Sequence, residues 1–221
     1  LINYVALLGA SYEEGKDIYS LKELEERFSL DKLNKAPAIF DYKKLEWYNG
    51  QYIRMKSSAE LAKLCLPWAI EASLFGADGA QPTEQQLALF TAAMPLIKER
   101  LVFLNEAPAK IAYLFSEPPL PAAEEFIPKK ADITRAIELL RLGKSFTETL
   151  ANAADDEQAE QFIKEQAEQH GVKLGDLMMP LRVAVTGARV SPPLFGSLRL
   201  LGAQLSLQRI ECALEFLERS L

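Results

Sequence analysis

Two stretches of the chain place basic side chains among groups that could meet phosphates and bases. The first, Lys35 to Arg54 (KAPAIFDYKKLEWYNGQYIR), interleaves Lys43, Lys44 and Arg54 with Trp47, Tyr48 and Tyr52. Cations at that spacing suit phosphates, and flat rings suit sugars and unstacked bases. Phe40 and Leu45 are expected to anchor a small core, and Asp41 to cap a short helix carrying Lys43, Lys44 and Trp47. The second stretch, Gly171 to Phe195 (GVKLGDLMMPLRVAVTGARVSPPLF), sets Arg182 in mid-helix among apolar residues, where a charge is costly unless paired or led to the surface. Arg189 is expected beside a helix N-terminus, a place that favours anions. Each stretch also has a plainer reading: a solvated basic helix packed through its aromatics, and a structural arginine in a helical core.

Other chemistries lack their residues. The single histidine, His170, precedes Gly171 at the end of a polar helix and reads as an exposed helix-end residue favoured by the helix dipole. No nucleophile stands beside it. Cys65 and Cys212 make neither a disulfide scaffold nor, with one histidine, a common zinc site. Cys65, between Leu64 and Leu66, reads as a packed core thiol. No phosphate-binding glycine loop of either common type is present. The acidic clusters Glu25–Glu26 and Asp155–Asp156–Glu157 read as solvated helix surface. On its residues alone the chain looks like a binding module rather than a catalyst.

The elements that must position these groups are helical. Hydroxyl residues followed three places later by Glu or Gln, at Ser20, Ser57, Thr83 and Ser145, predict four helix starts. Ser191 before Pro192 predicts another, and Gly9, Gly143, Gly171, Gly187 and Gly202 read as helix stops. Phe90, Met94, Ile97, Leu101 and Leu104 form one stripe of a long helix, with Pro95 expected to kink it. Leu205, Ile210, Leu214 and Leu217 form the stripe of the last helix. Strand alternation is absent, so the expected class is all-α. Residues 1–56 form a mixed segment with a basic, aromatic second half. Two helical units follow, at 57–130 and 131–221, and the first ends in the proline-bearing connector 117–121.

With 221 residues, 49% hydrophobic and 25% charged, the composition is that of a globular protein large enough for two small domains. No apolar run is long enough to span a membrane, and the low cysteine content points to a reducing cytoplasm. The formal net charge of −6 argues against nucleic acid, but its distribution argues otherwise. Between Lys32 and Lys56 six basic residues face Asp41 and Glu46. Between Gly171 and Ile210, Lys173, Arg182, Arg189, Arg199 and Arg209 face Asp176 alone. The opening LINYVALLG, apolar from Leu1 and without a basic leader, reads as a helix continued from upstream, so the chain is expected to be part of a longer protein.

FDYKKLEWYNGQYIR and GVKLGDLMMPLRVAVTGARVSPPLF, together with LINYVALLG and APAKIAYLF, resemble in order the bacterial glutamyl-tRNA synthetase family, in the region C-terminal to its catalytic domain. That resemblance implies a stem-contact segment followed by a two-part helical cage that binds the anticodon. The catalytic domain, with its His-x-Gly-His-type and Lys-x-Ser-Lys-type motifs, would precede Leu1. ATP and magnesium would belong to that domain, and this portion would hold no cofactor of its own. The implied partner is tRNA(Glu), with no DNA or membrane, for a cytoplasmic monomer.

The resemblance also implies residue roles. Counting back from Tyr113-Leu114-Phe115 puts the arginine that reads the third anticodon base at Arg100. The rival is a rim arginine paired with Glu99 or Glu106. Glutamine at this position goes with tolerance of glutamine tRNA, so Arg100 leans toward discrimination. Arg182 of PLR, with Pro192 and Leu194 of SPPLF, is implied at the first anticodon base, although Pro193 stands where some relatives have glycine. Lys44, Trp47 and Arg54 match the stem-contact segment. Two further readings compete: a helical protein-binding scaffold using an apolar groove near Leu194 and Phe195, and a glutamine ligase. The common form of the latter has a strand-rich anticodon region, which this pattern does not fit.

Overall fold

The computed structural model describes residues 1–34 and 37–221, so Lys35, which opens the first basic stretch, lies outside the described residues. The described residues are all-α, and their only extended pairing is an isolated antiparallel bridge between Ala10 and Leu33.

The N-terminal part contains α1 (Ile2–Gly9), α2 (Leu21–Arg27) and α3 (Tyr42–Arg54). Ser20 starts α2 with a full capping box: its hydroxyl accepts from Glu23 N, and the Glu23 carboxylate accepts from Ser20 N. That carboxylate also meets Lys16 Nζ at 2.6 Å, and together these donors hold its pKa down at about 2. Asp41 caps α3 as expected, accepting from Lys43 N and Lys44 N. The nucleus here is aromatic. Tyr4, Tyr19 and Tyr48 are each 1% exposed. Buried Asn3 ties it together, with Oδ1 accepting from Tyr19 N at 2.6 Å and from Tyr52 Oη at 2.8 Å. Phe40 stacks edge-on against Tyr4 but remains partly in solvent.

A first apolar core is built by α4 (Ser58–Glu71), α5 (Glu84–Lys98) and α6 (Ala107–Ile111). Ser57 and Thr83 cap α4 and α5 with complete capping boxes. Phe90, Met94, Ile97 and Leu101 are fully buried, each stabilising the fold by about 1.5–3 kcal/mol. The helix ends at Lys98, so Leu101 continues the stripe from the segment after it and Leu104 from a short 3-10 helix, Leu104–Glu106. Cys65 is buried in this core, and burial raises its thiol pKa to about 11.

A second core is built by α7 (Ile133–Ala151), α8 (Asp156–Gln169), α9 (Leu174–Thr186), α10 (Leu194–Leu201) and α11 (Ala203–Glu218). Three local expectations fail here. Ser145 starts no helix: α7 runs through it, and its hydroxyl turns back to Leu142 O at 2.7 Å. Gly143 stops nothing, lying mid-helix where Leu181 of α9 packs against it. Leu205 is 38% exposed and leaves the stripe of α11 to Ile210, Leu214 and Leu217.

The two cores meet where α10 crosses α5. A Cβ on Gly196 would meet Leu96 Cδ2, so a larger residue there requires the Leu96 side chain to shift. Tyr113 Oη and Ser197 Oγ, 2.6 Å apart, bond across the junction.

Candidate functional site

The turn that follows α5 and the loop between α9 and α10 face each other. Arg100 leaves the end of α5 exposed, and its Nη1 donates to Ser191 O at 2.5 Å. From α9, Arg182 Nη1 donates to Ser191 Oγ at 2.8 Å and to Pro192 O at 2.9 Å. Residues 91 and nine positions away from Ser191 thus converge on it. Among the described residues no carboxylate pairs with either arginine, so the rival reading of Arg100, a rim pair with Glu99 or Glu106, does not form. Burial, and after it the like charge of Arg100, lowers the pKa of Arg182 from its ordinary value. Beside this convergence lies a cleft of about 270 Å³ lined by Ile97, Arg100, Tyr113, Val190, Ser191 and Pro192. Two cations in its lining, Arg100 and Lys110, with a partly apolar floor and the ring of Tyr113, make a setting for an unstacked base and its phosphate, and Arg182 stands behind Ser191.

The loop is held from three sides. Gly187 ends α9 in the left-handed conformation, φ 76°, and a Cβ there would lie 2.7 Å from Pro118 of the proline connector, so only glycine fits. Arg189 does not lie free at the N-terminus of α10 as expected. It bonds the carbonyls of Glu124, Glu125 and Ile127 and pairs with the Glu125 carboxylate at 3.1 Å. The helix start predicted at Ser191 lies further on: α10 begins at Leu194, and Ser191 is a buried acceptor for the two arginines instead. Leu194 is 2% exposed in the second core and supports the loop from below rather than offering a side chain to a base, whereas Pro192, though buried, lines the cleft. Outward the loop presents Ala188, Arg189 and, most of all, Val190, 87% exposed. Leu194 is buried and partly buried Phe195 packs against the same core, so Leu194 gives no side chain to the apolar groove that the protein-binding reading places there.

Sequence reasoning gave Arg209 no role of its own, counting it only among the basic residues of 171–210. On α11 it is 4% exposed, and its guanidinium donates to Val185 O, Tyr113 O and Ser116 O. It fastens the end of α9 to the Tyr113 segment. Its one signal in the sequence was a basic residue within an apolar helix stripe.

On α3 the basic–aromatic stretch divides. Lys43, Lys44 and Trp47 face solvent, with Trp47 44% exposed. Tyr48 and Tyr52 turn inward, contrary to the contact surface expected of them. Tyr48 Oη donates to Asp17 Oδ1 at 3.3 Å, and burial, with that carboxylate, pushes its pKa up to about 12. Arg54 is half-committed to the fold: its Nη1 donates to Glu99 O at 3.4 Å. With the Gln51 amide turned to suit both neighbours, its oxygen accepts from Trp47 Nε1 at 3.2 Å and Arg54 Nη2 at 3.0 Å.

Among the described residues no group of three or more His, Cys, Asp and Glu could hold a metal, and no helix is long and apolar enough to cross a membrane.

A family described as "Anticodon binding domain" matches residues 60–214. Glutamate–tRNA ligase of Treponema denticola is 43% identical, covering 97% of this chain and 45% of that protein. The same-named protein of Borreliella burgdorferi is 36% identical, covering 98% of this chain and 44% of its own length. The crystal structure of a glutamate tRNA ligase from Elizabethkingia meningosepticum, in complex with its amino acid, superposes with a TM-score of 0.70 at 27% identity, over 98% of this chain and 40% of that one. The chain spans less than half the length of the curated relatives it matches.

Proposed function

The chain belongs to the anticodon-binding-domain family, and from that premise we propose that it is the tRNA-reading portion of a glutamate–tRNA ligase, with Arg100 and Arg182 as its base readers. The observation that carries the reading is the meeting of two guanidiniums, without a carboxylate, on the buried Ser191 beside a cleft sized for a base. A guanidinium offers paired donors, and a cytosine at the third anticodon position presents acceptors that guanine does not present in the same place. Arg182 serves the first base from the last turns of α9, bonded to a loop held by Pro192, Leu194 and Gly187. Lys44 and Trp47, on the outer face of α3, meet the tRNA stem through phosphate and sugar, which positions without reading sequence. Arg54 joins them at the edge of that face.

The division at about residues 56 and 130 belongs to this proposal, as do a cytoplasmic setting, a monomeric state and tRNA(Glu) as partner. So does the assignment of ATP and magnesium chemistry to the part of the relatives that this chain does not span.

The test is equilibrium binding of the 221-residue chain to a tRNA(Glu) transcript, and to the same transcript with the third anticodon base changed from C to G, at several salt concentrations. The reading expects log affinity to fall linearly with log salt, and the swap to cost about 1–3 kcal/mol. Absence of binding at low salt, or equal affinity for the two transcripts, overturns it.

A further inference from the structure

The turn at residues 99–102 carries Arg100 into the cleft, yet it is fastened from behind by α3. Asn49 Nδ2 donates to Val102 O at 2.5 Å, a contact between residues 53 positions apart. Arg54 Nη1 reaches Glu99 O at 3.4 Å. The two ends of the turn are therefore each held through a backbone carbonyl by one helix. Gly50, between Asn49 and Arg54 on that helix, lies so close that a Cβ there would sit 3.5 Å from Leu101 O. A third tie comes from Glu106, whose Oε2 accepts from Val102 N at 3.1 Å. Leu101 is fully buried, which fixes the middle of the turn to the first core. Arg100 is the one side chain of the turn that crosses to the second core, at Ser191.

The helix making these ties is also the one whose outer face presents Lys43, Lys44 and Trp47 to solvent. Trp47 and Arg54 meet on the Gln51 amide, so the exposed face and the edge touching the turn share a polar contact. A polyanion bound along the outer face of α3 thus bears on the helix that places Arg100.

Resting on the reading of Arg100 given above, we propose that Asn49 is a positioning residue for third-base recognition: it touches no base but fixes the turn from which Arg100 reaches one. A guanidinium on a long side chain discriminates only if its root is held, because small misplacements of paired donors weaken both hydrogen bonds together. Releasing Val102 O lets the turn shift while Leu101 stays buried. The loss should then fall on discrimination, leaving the fold and general affinity for RNA in place.

The experiment compares the wild-type chain with Asn49→Ala, Asn49→Asp and Arg100→Gln. Each is bound to the two transcripts differing at the third anticodon base, and to a third transcript with its anticodon arm deleted. Asn49→Asp keeps size and polarity but puts an acceptor where the Val102 carbonyl needs a donor, so it tests the bond even if Asn49→Ala does not fold. Both Asn49 variants are expected to lower the C-to-G penalty by about 2- to 30-fold. Their affinity for the arm-deleted transcript, salt dependence and melting temperature should stay at wild-type values, which a merely structural role would not predict. If Arg100→Gln abolishes the penalty while both Asn49 variants keep it, the positioning role is overturned and the reading of Arg100 stands. If Arg100→Gln also keeps it, the reading itself fails.

Discussion

Lys43 and Lys44 stand in solvent on the first turn of α3, whereas Arg209 of α11 is 4% exposed and donates to three backbone carbonyls. Both belong to segments that look equally basic in the sequence. In the first, the lysines stay outside because an ammonium is strongly hydrated and nothing within the fold replaces its water. In the second, arginine after arginine is used by the fold: Arg189 on carbonyls, Arg199 on Asp156, Arg209 on carbonyls. A planar guanidinium with five donors can satisfy several acceptors at once, which a lysine cannot do in a fixed geometry. Only Arg182 of that group sits beside the cleft, and it shares its acceptor residue with Arg100. A count of positive charge therefore finds solvent-facing cations on α3 but mostly scaffolding on α9 to α11.

That contrast can be broken most forcefully at Arg209. Arg209→Met keeps length and removes the donors, leaving the carbonyls of Val185, Tyr113 and Ser116 without them. A loss of about 3–5 kcal/mol in urea-denaturation stability is expected. A loss below about 1 kcal/mol would mean that water replaces the guanidinium and that the residue is not scaffolding.

At the cleft, Arg182→Ala is expected to weaken tRNA binding by about 1–3 kcal/mol in equilibrium titrations, with a smaller change in melting temperature than Arg209→Met gives. Equal stability losses in the two variants would erase the distinction between scaffold and reader.

On α3 the effect should be electrostatic alone. Lys43→Gln together with Lys44→Gln is expected to reduce the slope of log affinity against log salt by roughly 0.7–0.9 for each phosphate that the helix no longer neutralises. Stability should stay within about 0.5 kcal/mol of wild type. An unchanged slope would take α3 out of the RNA surface.

The smallest effects concern titration. The Glu23 pKa is lowered to about 2, so its contribution is complete above the ordinary carboxylate pKa of 4.5 and is lost as pH falls toward 2. Glu23→Gln should therefore lower stability in the neutral region, flatten the acid limb of the curve, and leave stability near pH 2 little changed. For Cys65 the sign is opposite. Its folded pKa is raised to about 11 from 9.0, so the unfolded chain loses its proton first and stability declines between those values as pH rises. At about pH 8 a thiol reagent should label exposed Cys212 quickly and buried Cys65 only on unfolding.

Much of the fold was legible because it is local. Ser20, Ser57 and Thr83 start their helices with contacts three residues away, and such contacts are written in adjacent sequence. Ser145 shows the limit of the same signal: a serine within a continuous apolar stripe can satisfy its hydroxyl on the preceding turn, and the helix passes through. Gly143 likewise became a packing surface for Leu181 rather than a stop. The candidate site was legible in part, through resemblance, at Arg100 and Arg182. Their common partner was not, because Ser191 is 91 residues from Arg100 and was read as a helix cap. The inward turn of Tyr48 and Tyr52 was hidden for the same reason: their partners, Asp17, Asn3 and Tyr19, lie on segments that only the folded chain brings near α3. Asn49, an ordinary helix-surface amide in sequence, acquires meaning only beside Val102.

The central claim, that the Arg100–Arg182 cleft reads the anticodon, is tested most directly by a cycle crossing protein and RNA changes. Wild-type and Arg100→Gln chains are each titrated with transcripts bearing C or G at the third anticodon base. The account predicts a C-to-G penalty of about 1–3 kcal/mol in the wild type that collapses toward zero in Arg100→Gln. The same penalty in both chains would contradict it.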